Sequence, residues 1–314
     1  MRGVPADLAA LRAGGKSALA RTLTALETHE DDPALVRLLD EAWGAPTGIA
    51  LGLTGPPGVG KSTLTSAFVA RLRARDRTVG VVAVDPSSRR SGGALLGDRT
   101  RIETDPEDQG AFLRSMAARD RLGGLSDLTF PAVALMRALF DWVIVETVGV
   151  GQSETDVADV ADLVVFCAQP GSGDALQFMK AGIMEVPDVV LVTKGDLGAP
   201  AERAATDLKG ALSLAAEGEA VPVAVVSAAT GAGVDAAIAA IEAACAARGS
   251  SGFIGLRRAE QAAAWGRARL RDSFGREGTA LLDTTHTRNN APFADLAAQR
   301  AALRHALEKV RQSL

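Results

Sequence analysis

From Leu8 to Glu41 apolar residues recur at helical spacing: Leu19, Leu23 and Leu26, then Leu35, Leu38 and Leu39. The acidic break His29-Glu30-Asp31-Asp32-Pro33 divides them, and Asp32 before Pro33 reads as an N-cap followed by proline at the first helical position. Gly44-Ala45-Pro46-Thr47-Gly48 ends this helical preface. The period then changes. Apolar runs of strand length alternate with helical stretches: Ile49–Leu53, Val79–Val84, Trp142–Val145, Leu163–Ala168, Val189–Val192 and Val221–Val226, with a short further strand near Phe112-Leu113-Arg114. These runs are continuously apolar, which suits strands buried on both faces. They predict an α/β fold, a mostly parallel sheet with helices on both sides. Gly231 and Gly233 lead into the last helix of this unit, and Arg248-Gly249-Ser250-Ser251-Gly252 reads as a linker. Beyond it, helices are expected over Ala259–Phe274 and Pro292–Val310 around a polar break at Thr284–Asn290. The expected division is residues 1–46 as a helical extension, 47–250 as the α/β domain, and 251–314 as a second helical extension. That tail either closes the core or pairs with another subunit.

One strand-to-helix connection carries chemistry. Gly55-Pro56-Pro57-Gly58-Val59-Gly60-Lys61-Ser62 fits G-x-x-x-x-G-K-[ST], with the run Ile49–Leu53 before it and a helix-forming run from Thr63 to Ala74 after it. Glycines let successive backbone N–H groups face one point, and the following helix adds its positive dipole end. A chance Gly/Pro turn would not need both flanks. The pattern predicts a P-loop NTPase, with Thr63 included among the nucleotide-binding residues, Lys61 on the outer phosphates and the Ser62 hydroxyl on Mg²⁺.

Composition narrows the partners. A chain of 314 residues, 47% hydrophobic, is long enough for one large α/β domain with helical extensions or for two modest domains. A net charge of −4 gives no general case for nucleic acid or an anionic membrane, and 4% aromatics without tyrosine supplies few stacking platforms. The N-terminus lacks a secretory h-region and no run reaches membrane-span length, so a cytoplasmic protein is expected. Cys167 lies in an apolar run and reads as a core thiol; His29, His286 and His305 are too scattered for a metal site.

In an open parallel sheet, ligands sit at the carboxyl ends of the strands, so the residues that follow each apolar run matter most. They are Asp85-Pro86-Ser87-Ser88, Glu146-Thr147-Val148-Gly149, Gln169-Pro170-Gly171-Ser172-Gly173-Asp174, Thr193-Lys194-Gly195-Asp196 and Ser227-Ala228-Ala229. Glu146-x-x-Gly149 matches the element that senses a γ-phosphate: the acid holds Mg²⁺ through water or orients the attacking water, and the Gly149 N–H bonds the phosphate. Its plainer alternative is an N-cap acid. Thr193-Lys194-Gly195-Asp196 matches [NT]-K-x-D, in which Asp196 accepts from the guanine N1 and N2 donors that adenine lacks, and Lys194 lies along the base. Ser227, Ala228 and Ala229 would complete the base pocket through backbone N–H groups, so GTP or GDP is the expected ligand. Asp85 and Asp98 are candidate Mg²⁺ or water-positioning carboxylates within a Gly/polar stretch running to Arg101.

Val84-Asp85-Pro86-Ser87-Ser88, Gly92-Gly93, Leu96-Gly97-Asp98-Arg99-Thr100-Arg101, Leu122-Gly123-Gly124 and Glu146-Thr147-Val148-Gly149-Val150-Gly151-Gln152-Ser153-Glu154 occur in fixed order. From about Gly15 to Trp265 the chain resembles the MeaB/ArgK/MMAA family of P-loop GTPases, chaperones of cobalamin-dependent methylmalonyl-CoA mutase. The resemblance implies a SIMIBI-type sheet, a C-terminal dimerisation arm and a homodimer. It implies GTP hydrolysis that gates adenosylcobalamin loading of a cobalamin-dependent acyl-CoA mutase, with the cobalamin bound by that partner. Lys61, Asp98, Glu146 and Gly149 would serve catalysis, and Ser62, Asp85, Asp98 and Glu146 the metal. Gln169, Asp174, Gln177 and Lys180 would belong to a third switch facing the mutase. Three departures stand out: Thr193-Lys194-Gly195-Asp196 for the usual Asn-Lys-Ala-Asp, Ala175 and Ala181 for a usual acid and lysine, and a tail after Phe274 that follows the family's arm poorly. Other readings of the same motifs are a switch with a different client, such as a nickel-insertion GTPase, a non-hydrolysing adaptor, or a transport-linked kinase. The nickel reading predicts clustered Cys/His ligands and the kinase an acceptor-substrate site; the sequence offers neither.

Overall fold

The computed structural model describes residues 4–86, 102, 105, 107–118, 125, 127–147, 156–171, 187–215, 220–280 and 290–313. Seven strands form one sheet: β1 (Ile49–Thr54), β2 (Val79–Pro86), β3 (Ala111–Ala118), β4 (Trp142–Glu146), β5 (Leu163–Ala168), β6 (Val189–Val192) and β7 (Val223–Val225). Their order is β3-β2-β4-β1-β5-β6-β7, and every neighbouring pair is parallel. All six predicted runs and the short extra strand are present. β7 is shorter than the predicted run Val221–Val226, because it is an edge strand paired with the four-residue β6.

Parallel strands need crossover helices, and these cover both faces. On one face α4 (Lys61–Arg73) and α7 (Val234–Ser250) send Leu64, Phe68, Leu72, Ile238 and Ile241 against Leu51, Leu53, Ile144 and Val165. On the other, α3 (Pro33–Gly44) and α5 (Thr129–Arg137) send Leu35, Leu38, Leu135 and Met136 against Ala50, Val82, Val143 and Val145. The alternation Val143/Ile144/Val145 between faces explains why the whole run had to be apolar. The helix α6 (Ala199–Ala215) covers Phe166, Val190 and Val192 farther along the sheet.

The preface folds as α1 (Leu8–Ala13), α2 (Gly15–Thr28) and α3. As expected, Pro33 opens α3, and the Asp32 carboxylate accepts from the Ala34 and Leu35 amides at 2.8 and 3.3 Å. The expected linker is a correction: α7 runs through Ser250 and α8 (Phe253–Ala280) begins three residues later, after a tight turn in which Gly252 has φ 75°. The Ser251 hydroxyl and the Gly252 amide both bond back to α7, to Arg248 O and Gly249 O.

The tail closes the core of its own chain. Trp265 of α8 and Phe293 of α9 (Pro292–Ser313) pack their rings on Phe130 of α5, at 5.0 and 6.0 Å between centroids. Asp40 of α3 accepts from the Phe293 and Ala294 amides and so caps α9 from across the fold. Buried Arg300 bonds Glu30 and Asp31, and Arg269 bonds Glu30 and Asp127. The acidic break that divides the preface is therefore the anchor of the last helix. Arg300→Ala should cost about 1–3 kcal/mol, discounted for the half-exposed acids. Hydrogen exchange should show it as faster exchange in α9, with the sheet amides unchanged.

Candidate functional site

The carboxyl ends of β1, β4, β5 and β6 share one edge of the sheet, and the chain leaves β1 there into α4 through Gly55–Gly60. Gly55, Gly58 and Gly60 have φ of 139°, 74° and 100°, a region that side chains disfavour. Space constrains Gly55 as well, since a Cβ would lie 2.3 Å from the Cys167 carbonyl oxygen. The phosphate loop thus rests directly on β5. Pro56 and Val59 are buried, while Pro57, Gly58 and Thr63 are exposed. Lys61 is buried, and its Nζ donates to the Gly55 and Pro56 carbonyls at 2.7 and 3.2 Å. Burial pushes the Cys167 thiol up to about 12 despite the nearby Lys61 charge, so it is the inert core group expected of it.

Strand register delivers the acid. Glu146, the last residue of β4, pairs with Leu53 of β1 on one side and Ala83 of β2 on the other. Its side chain is buried, and Ser62 Oγ donates to Oε1 at 2.5 Å while Thr65 Oγ1 donates to Oε2 at 3.0 Å. The predicted metal hydroxyl and the predicted acid are thus in direct contact. Thr65 is a participant the sequence reading missed; its signal was a second hydroxyl three residues after Ser62, on the same helix face. Asp85 stands in β2 two residues past Ala83, toward the same edge, and its side chain lies outside those described. Asp98, Gly149, Asp174, Gln177 and Lys180 also lie outside the described residues.

The loop after β6 is stitched to the phosphate loop. Thr193 Oγ1 shares its proton between Val59 O at 2.7 Å and Ala168 O at 3.0 Å. Lys194 adopts φ 55°, and its Nζ donates to Gln169 Oε1 at 2.5 Å, linking the loop after β6 to the residue that follows β5. Asp196 is exposed and accepts from Ser227 Oγ at 2.6 Å; that bond, helped by its own backbone amide and by the Lys194 charge, holds its carboxyl below the usual range. The Ser227 amide, expected to face a base, donates instead to Ala232 O, and it is the Ser227 hydroxyl that meets Asp196. Ala228 and Ala229 follow it, half-buried and exposed.

Ser62 and Glu146 present hard oxygen donors beside a buried ammonium, a set whose chemistry fits Mg²⁺ and polyphosphate together. The exposed Asp196 offers an ionised acceptor to a base with adjacent N–H donors.

A sequence profile described as "Methylmalonyl Co-A mutase-associated GTPase MeaB" matches residues 19–280. A protein of Caulobacter vibrioides, provisionally named a GTPase, is 40% identical over 270 residues, 83% of this chain and 83% of its own. Another with the same provisional name, from Pyrococcus horikoshii, is 44% identical over 189 residues; the match covers 59% of each chain. Among solved structures, a LAO/AO transport system kinase superimposes with a TM-score of 0.65 at 27% identity, covering 93% of this chain and 95% of that one. Together with the seven-stranded parallel sheet and the phosphate loop at its edge, these matches place the chain in the MeaB family of methylmalonyl-CoA mutase-associated P-loop GTPases.

Proposed function

We propose that this chain binds GTP with Mg²⁺, hydrolyses it slowly, and acts as a nucleotide-gated chaperone for a cobalamin-dependent acyl-CoA mutase of the methylmalonyl-CoA mutase type. The observation that carries the nucleotide part is the Thr193 bridge from the base loop to Val59 of the phosphate loop. Base recognition at Asp196 and phosphate binding at Lys61 then belong to one rigid unit. Support for the client comes from the family description alone. The cobalamin stays with the client in this reading, and nucleotide state gates its loading.

In the nucleotide-bound protein, Lys61 exchanges its two carbonyl partners for phosphate oxygens, a stronger charge-assisted interaction. Ser62, Asp85, Asp98 and Glu146 would hold Mg²⁺, which neutralises phosphate charge when bound. Glu146 orients the water that attacks, and the Gly149 amide reports the γ-phosphate. Turnover is slow until the client completes the site, a step worth about 10³–10⁵ in rate for switches of this kind. Gln169, Asp174, Gln177 and Lys180 are the proposed client-facing switch.

The nucleotide claim is tested by comparing GTP and ATP turnover; preference for ATP would sink it. Asp196→Ala should lower kcat/KM for GTP by about 100-fold, because two paired donors of guanine lose their acceptor, and leave the ATP value unchanged. The client claim is tested by affinity capture in GDP and in a non-hydrolysable GTP analogue. Failure to recover an acyl-CoA mutase in either state removes the chaperone reading and leaves the GTPase one standing.

A further inference from the structure

Hydroxyl side chains in the helices of this protein commonly turn back on their own helix. Thr22, Thr24 and Thr28 donate to the carbonyls of Ala18, Ala20 and Thr24, Ser66 to Ser62, and Thr206 to Glu202. Thr65 does otherwise. Its hydroxyl leaves α4 and donates to Glu146 Oε2 at 3.0 Å, on the end of β4. Thr65 is fully buried between α4 and the sheet, beside Leu64, Phe68 and Val69, where a hydroxyl is a burden unless it finds a partner.

We propose that Thr65 is a positioning residue for GTP hydrolysis, fixing the plane of the Glu146 carboxylate. The proposal rests on the reading of Glu146 as the acid beside the γ-phosphate. The last torsion of a glutamate is soft, so one hydrogen bond leaves the carboxylate free to rotate. Here two hydroxyls three residues apart on one helix face each take one oxygen, Ser62 on Oε1 and Thr65 on Oε2. That pair sets the rotation as well as the position. In the nucleotide-bound protein the Ser62 oxygen has a second task, at the metal, whereas Thr65 carries none. Thr65 therefore holds the same orientation before and after nucleotide binding, and the carboxylate needs no reorganisation at the chemical step.

The test compares Thr65→Val, Thr65→Ser and Glu146→Gln in the full chain. Readouts are kcat and KM for GTP, and the Mg²⁺ dependence of binding of a fluorescent non-hydrolysable GTP analogue. Loss of a hydrogen bond to a charged group predicts about a ten-fold lower kcat for Thr65→Val, with KM within about two-fold. The Mg²⁺ concentration for half-maximal analogue binding should rise in the same variant. Thr65→Ser keeps the hydroxyl and should restore both readouts to near the parent values. If Thr65→Val matches the parent in kcat and Mg²⁺ dependence while Glu146→Gln is impaired, the positioning role is wrong and the Glu146 reading survives. If Glu146→Gln turns over like the parent, both fall. Should Thr65→Val not fold, Thr65→Ala takes its place, and failure of Thr65→Ser to exceed it in kcat overturns the proposal.

Discussion

Lys61→Ala protein should fold as the parent does and lose GTP turnover by about 10³-fold, with weaker nucleotide binding as well. The structural cost is small. Lys61 Nζ donates to the loop carbonyls Gly55 O and Pro56 O, which water can reach once the side chain is gone. The functional cost is large, because Lys61 is a buried cation held at the neck of the phosphate loop, where no bulk water screens it. Lys61→Arg should not rescue: the planar guanidinium is wider than an ammonium and cannot donate as a point charge inside a loop packed against β5. Single-turnover hydrolysis beside far-UV circular dichroism separates the two effects. Turnover within ten-fold of the parent in a folded Lys61→Ala protein would falsify the assignment of this loop as the phosphate site.

Asp162→Ala should cost about 3–5 kcal/mol of stability, or roughly 10 °C in thermal midpoint, without touching the nucleotide edge. Asp162 has no solvent exposure and precedes β5, at the end of the sheet opposite the phosphate loop. It accepts from Arg137 of α5 at 2.9 Å, from both Nε and Nη2 of Arg258 of α8 at 2.7 Å, and from the Ala50 amide of β1 at 2.7 Å. Burial alone would raise its carboxyl, yet the Arg258 bonds and the Arg137 charge hold it below its ordinary value of 3.8. Arg137 is as deeply buried, and burial pushes its guanidinium down to about 10 even with Asp162 present. Removing the carboxylate strands that charge in the core. Adding Arg137→Met to Asp162→Ala should therefore recover part of the loss.

The pH dependence has a definite sign. A carboxyl whose folded value is depressed stabilises the protein above its ordinary value and stops doing so as pH falls through the depressed one. The difference in thermal midpoint between parent and Asp162→Ala should be full near neutrality and shrink below about pH 4. A difference that grows on acidification would contradict the ion-pair account.

Arg258 shows why this network could not be read in advance. Along the chain it is one charge in a polar helical run, ordinarily a solvated face; in space it lies against Asp162, Gly48 and the start of β1. The partners are 96 residues apart in sequence, and no local pattern encodes such a pair. Thr65 and Glu146 are separated by 81 residues and were invisible for the same reason. The loop after β6 was half legible: its Thr193-Lys194-Gly195-Asp196 pattern stands in the sequence, whereas the tie of Thr193 to Val59 and of Asp196 to the Ser227 hydroxyl depends on segments brought together by the sheet.

By itself the sequence determined the strands, the capped start of α3 and the phosphate loop. Each depends on forces acting within a few residues: burial on two faces demands an unbroken apolar run, an aspartate reaches the amides two and three residues on, and positive φ demands glycine. The tertiary structure alone decided the strand order that brings Glu146 beside Ser62, and the side on which the tail packs. Both depend on contacts between distant segments, where burial and charge pairing select among arrangements that local propensity leaves equal. The α9 helix is the plainest case. Its own residues specify a helix, and only Asp40, Glu30 and Asp31 from the other end of the chain specify where it lies.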